Sequence, residues 1–148
     1  MPLDPSFVGR TYPATPPYQV GREKIREFAT AIGATDPLHH DPDAARAKGY
    51  PDVVAPPTFP VVISMGSNRQ IVDDPELDID YGRVVHGDQR FLYTRPVVAG
   101  DELVCVNTIE EIRSRGGHDF LTMRSDVTTS AGEPVVTAWS KIVVRGES

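Results

Sequence analysis

The chain has 148 residues, 39% of them hydrophobic and 24% charged. That is enough to bury one core, too little for two full domains, and inconsistent with a disordered chain. Its 21 acidic and 15 basic side chains give a net charge of −6, and without clustered cations no nucleic-acid partner is expected.

A lone cysteine, Cys105, leaves no intrachain disulfide or cysteine-based zinc site. In its alternating segment it reads as a small buried hydrophobe. No basic start followed by an apolar run opens the chain, and no stretch reaches the roughly 18 apolar residues of a membrane helix. A soluble, cytoplasmic single domain over residues 1–148 with no membrane partner is expected.

Residues 2–17 carry five prolines, which predicts an extended arm with one short pairing stretch near residues 7–12. Ile25, Phe28, Ala29 and Ile32 share one face of a helix predicted over residues 21–32, and Gly33 is a natural stop. After a turn, Asp41 caps a short helix with Pro42 at its first position, and Gly49 ends it. Pro56-Pro57-Thr58 opens a third helix reaching about Val72. Phe59, Val62, Ile63, Met65 and Ile71 make it apolar on most sides, so it is expected at the centre of the core.

From residue 83 the period changes to two. Runs over 83–94, 102–114, 118–129 and 134–145 are separated by glycine-bearing turns, an antiparallel meander. In the last run Val135, Thr137, Trp139 and Lys141 share one face, and Val136, Ala138, Ser140 and Ile142 the other. The economical packing is an α+β fold in which the antiparallel sheet curls around the apolar helix, the hot-dog arrangement. One such unit leaves a sheet edge bare, so pairing with a second unit is expected.

The densest chemistry lies in residues 33–42, where Asp36, His39, His40 and Asp41 fall on a two-proline turn behind a helix. Asp41 reads as an N-cap, His40 as an exposed loop residue and Asp36 as a turn residue before Pro37. Adjacent residues point apart, so no metal is expected from His39, His40 and Asp41. His39 is the least easily dismissed, because Leu38 should enter the core and hold the turn. His86 reads first as a structural hydrogen-bonding residue at a subunit contact. Tyr81, Tyr93 and Trp139 read as core or interface aromatics. Asn68 and Arg69 either mark the helix end reaching solvent or face a partner.

Gly33-x-x-Asp36-Pro37-Leu38-His39-x-Asp41-Pro42-x-Ala44-Ala45, followed by Gly49, Pro56 and the buried helix, resembles the signature of the MaoC-like, or R-specific enoyl hydratase 2, family. Residues 20–29 resemble the first helix of the A-type subunit of actinobacterial (3R)-hydroxyacyl-ACP dehydratases. Residues 55–59 and Val85-His86-Gly87-Asp88-Gln89-Arg90-Phe91 resemble the N-terminal half of double-hot-dog hydratases. The resemblance implies reversible addition of water across a trans-2-enoyl thioester carried by CoA or acyl carrier protein, without a cofactor. A neutral histidine and a carboxylate act on the water, and backbone N–H groups at a helix start hold the thioester oxygen.

By that resemblance His39 is the catalytic histidine, but Ala34 stands where the family has its aspartate, and Asp36 lies two residues away. Pro57, which has no N–H, stands in the oxyanion region, leaving Thr58 or Phe59 as donors. Pro57, Thr58, Phe59, His86 and Gly87 are the substrate-binding candidates. The half-built site implies a dehydratase subunit that works with a second, dyad-bearing MaoC-like chain. The alternatives are a self-sufficient homodimeric hydratase using His39 with Asp36, and a non-catalytic hot-dog protein that binds acyl thioesters. A hot-dog thioesterase would need a carboxylate on the buried helix, and residues 58–72 provide none.

Overall fold

The computed structural model describes residues 2–146. Its elements are β1 (Tyr18–Gln19), α1 (Arg22–Ala31), α2 (Pro42–Ala47), α3 (Val61–Ser67), α4 (Arg69–Val72), β2 (Val84–Tyr93), β3 (Glu102–Arg115), β4 (His118–Thr129) and β5 (Pro134–Val144), with short 3₁₀ turns at Pro5–Phe7, Pro37–His39 and Tyr81–Arg83. The strands form one antiparallel sheet in the order β1-β3-β4-β5-β2. Alternation decides which face goes in. Leu103, Cys105, Asn107 and Ile109 of β3, Leu121, Met123, Ser125 and Val127 of β4, and Val136, Ala138, Ser140 and Ile142 of β5 are all buried. The sheet curls around α3 and α4, the hot-dog arrangement. Gly116 and Gly117, at φ 61° and 79°, turn the β3–β4 hairpin where a side chain would strain the backbone.

The arm does more than its expected short pairing. Gly9, Tyr12 and Thr15 donate N–H bonds to the carbonyls of Ile109, Asn107 and Cys105, and β1 continues along Leu103. One sheet edge is thereby covered by proline-rich chain. The other edge, β2, is bare among the described residues, and Val85 and Leu92 project from it.

The central helix departs from expectation. It begins at Val61, not at 56–58, and is split at Asn68. Pro57 and Pro60 withhold N–H groups and push the residues before them out of helical geometry, so residues 57–60 form turns closed by bonds such as Phe59 N–H to Pro56 O (2.9 Å). Nor is the helix buried on most sides. Met65 is 59% exposed, because a single sheet wraps only one flank.

The split at Asn68 has a cause in the sheet. Asn107, fully buried, donates to Ser67 O (3.0 Å) and Gln70 Oε1 (2.9 Å), gripping both sides of the junction. Ser125 Oγ links Asn107 Oδ1 (2.7 Å) with Asn68 Oδ1 (3.3 Å). Asn68 therefore turns to the sheet. Arg69 turns to solvent, pairing with Asp73 (2.8 Å) beneath Tyr81. Tyr81 is 61% exposed and so not a core residue. Cys105 is buried as expected, and burial raises its thiol pKa.

Candidate active site

The Pro37–His39 turn is built from its own sequence. Pro37 sets the first dihedral, and Asp36 Oδ1 accepts the Leu38 N–H (3.0 Å), capping the turn from an exposed position. Leu38 O in turn accepts the Val54 N–H (2.8 Å), tying the turn to the segment that leads into the central helix. His39 Nδ1 lies 2.7 Å from Val54 O. A carbonyl only accepts, so in the neutral ring Nδ1 carries the proton and Nε2 keeps its lone pair. No other hydrogen bond reaches the ring among the described residues, and none joins it to Asp36. The geometry can present a base, and among the described residues no carboxylate is hydrogen-bonded to it.

His40 is not the exposed loop residue expected. It is half-buried, and its Nε2 reaches Ala34 O at 2.7 Å, while Arg26 Nε holds the His40 carbonyl at 2.8 Å. The ring latches the turn back onto the end of α1, where Ala34 N–H closes on Ala29 O (2.8 Å) after Gly33 at φ 74°. That latch was illegible in the sequence, because a histidine bonded to a backbone carbonyl has no spacing signature. Asp41 caps α2 through the Asp43 N–H (2.9 Å), as expected.

A second tie braces the Val54 segment. Arg22 at the start of α1 forks onto Asp52 (2.8 and 3.0 Å). With the Val53 N–H, it holds that carboxyl down at about 2.

Of the other substrate-binding candidates, Phe59 is a core residue. It is fully buried edge-on against Phe28 at 5.4 Å, and its N–H is already spent on Pro56. Pro57 and Thr58 are exposed. The Tyr93 hydroxyl, unforeseen in the sequence, donates to Pro57 O at 2.5 Å, and burial raises the phenol pKa and keeps it a donor. A peptide plane fixed at its carbonyl has a fixed N–H. The Thr58 N–H has no acceptor among the described residues, which leaves it the free donor of this turn.

His86 and Gly87 lie on the bare strand β2, away from the His39 turn. Gly87 marks a bulge, where a Cβ would meet Val143 Cγ2 at 3.3 Å. His86 Nε2 reaches Gln89 Oε1 (3.2 Å), which also accepts from Ser140 Oγ (2.8 Å). His86 and Ser140 line a cavity of about 230 Å³ between β2, the central helix and the sheet, and this cavity does not include His39. Among the described residues no cluster of three or more His, Cys, Asp or Glu is arranged to hold a metal ion, and no helix is long and apolar enough to cross a membrane.

The family described as "FAS1-like, dehydratase domain region" matches over residues 6–138. A protein named UPF0336 protein from Saccharopolyspora erythraea is 60% identical over 146 residues, covering 99% of this chain and 94% of that one. A chain of the HadBC (3R)-hydroxyacyl-ACP dehydratase complex from Mycobacterium tuberculosis superposes with a TM-score of 0.83 at 32% identity, over 93% of this chain and 96% of that one. A MaoC-like dehydratase superposes at 0.88 with 37% identity, over 95% of this chain but 43% of that longer one. Fold, motif and relatives agree, and the chain belongs to the FAS1-like dehydratase-region family of MaoC-like hot-dog proteins.

Proposed function

We propose that this chain is a subunit of a (3R)-hydroxyacyl-thioester dehydratase, equally a trans-2-enoyl-thioester hydratase. The rate-carrying His–Asp dyad belongs to a second MaoC-like chain. One observation carries the reading. His39 is oriented as a base by Val54 O, yet among the described residues no carboxylate is hydrogen-bonded to it: Ala34 occupies the acid's position in the motif, and Asp36 is engaged in capping Leu38. Losing one member of an acid–base pair costs on the order of 10²–10⁴ in rate.

The bare β2 edge supports a partner of the same fold, since an open strand with exposed Val85 and Leu92 presents unpaired backbone groups and apolar surface together. Both the HadBC and ChsH1-ChsH2 complexes from Mycobacterium tuberculosis are two-component assemblies, the second similar in fold alone. In this reading the chain's share of the work is to shape room for the acyl tail, and the cavity behind β2 is that room.

The test is to purify the chain alone and together with neighbouring MaoC-like chains, then follow hydration of trans-2-octenoyl-CoA. The isolated chain is expected at background and the assembly to turn over. Full activity of the isolated homodimer would contradict the reading.

A further inference from the structure

The cavity behind β2 has walls that do not match a plain hydrocarbon. Its volume of about 230 Å³ corresponds to about eight waters at their liquid share of roughly 30 Å³ each. Val72, Met123 and Ile142 make much of its lining apolar, but Asn68 and Ser140 line it too. These two are 6% and 3% exposed, so each is a buried polar side chain.

Their hydrogen-bond needs are half met. Ser140 Oγ gives its proton to Gln89 Oε1 at 2.8 Å, which leaves its lone pairs without a donor among the described residues. Asn68 meets Ser125 at one end of its carboxamide, at 3.3 Å. The other end has no protein partner among the described residues, yet it is absent from the fully enclosed orphans Ser64 Oγ, Gln89 Nε2 and Trp139 Nε1. The free end of Asn68 is therefore open to the cavity it lines.

A methylene chain packed against these walls leaves both groups unsatisfied, whereas a hydroxyl has the proton that the Ser140 oxygen lacks and the lone pairs that the free amide of Asn68 lacks. Sites built to hydrogen-bond a hydroxyl reject the analogue lacking it far more strongly than apolar pockets reject an extra methylene.

We propose that this cavity is a subsite for a hydroxyl-bearing acyl chain, recognised by Asn68 and Ser140. The acyl thioester as ligand rests on the reading of the chain as a dehydratase subunit. The hydroxyl recognition goes beyond it.

The experiment compares binding of octanoyl-CoA with that of isomers whose hydroxyl is walked along the distal half of the chain, using the protein in the assembly in which it purifies. One hydroxyl position is expected to tighten binding on the order of 10-fold over octanoyl-CoA. That preference should fall to about unity in Asn68→Leu and in Ser140→Ala. Ser140→Ala decides alone if the helix junction does not tolerate leucine. The proposal is overturned if no isomer binds more tightly than octanoyl-CoA, if the preference survives Ser140→Ala, or if no acyl-CoA binds. Hydration of trans-2-octenoyl-CoA without any hydroxyl preference overturns the subsite alone. A hydroxyl preference without hydration overturns the dehydratase reading alone.

Discussion

Two adjacent histidines take unlike parts, and the difference is one of atoms. His39 uses Nδ1 on Val54 O and keeps Nε2 free; His40 uses Nε2 on Ala34 O and becomes a latch. Sequence could single out His39 but could not find the work of His40, because both contacts run to backbone carbonyls that any residue offers. Asp52 was equally silent in the sequence and gives a measurable handle. The Arg22 fork lowers its folded pKa to about 2, against roughly 3.9 when unfolded. A lowered carboxylate pKa adds stability that is complete above the unfolded value and is lost as pH falls through the folded one. Urea melts of the wild type and Asp52→Asn should therefore differ by a constant amount above about pH 5 and converge toward about pH 2. Both partners of the pair are partly exposed, so added salt should shrink the gap. A gap that persists unchanged at the acid end would refute the assignment.

At the scale of elements, what reads from sequence is what alternates or is locally coded. The β3, β4 and β5 runs and their glycine turns fall within a residue or two of expectation, because a period of two and a positive-φ turn are local properties. Helix α1 and the Asp41 cap are local too. The central helix is not. Its late start follows from Pro60, but its break at Asn68 is imposed by Asn107, a residue 40 positions from Ser67 in the chain, through a buried amide. Asn107 in β3 looks like any inward polar residue until the helix is laid over it. Asn107→Ala strands Ser67 O, Gln70 and Ser125 at the junction and should cost about 1–3 kcal/mol in urea unfolding. A loss under about 0.5 kcal/mol, the scale of a neutral surface change, would mean that the network is not what holds the helix to the sheet.

Over the whole molecule the two sheet edges are treated unequally. The proline-bearing arm covers β3, while β2 carries its exposed side chains and its bulge into the open. The sequence foretold a bare edge, since an open sheet ends in two edges, but not which edge the arm would cover; and its four-run meander set 83–94 beside 102–114, whereas β2 crosses over to pair with β5. The candidate site was legible only in part. The motif led to His39, whereas the cavity with its two half-satisfied polar walls is assembled from α3, the Asn68 junction, α4, the 3₁₀ turn at Tyr81–Arg83, β2, β4 and β5, and no local pattern marks it. The claim on which the functional account stands is that an oriented imidazole lacks only its carboxylate. Ala34→Asp in the isolated chain tests it most directly, by the initial rate of trans-2-octenoyl-CoA hydration. The wild type should stay at background and the variant should rise by about 100-fold or more. Equal rates in the two proteins, whether both fast or both at background, would contradict the account.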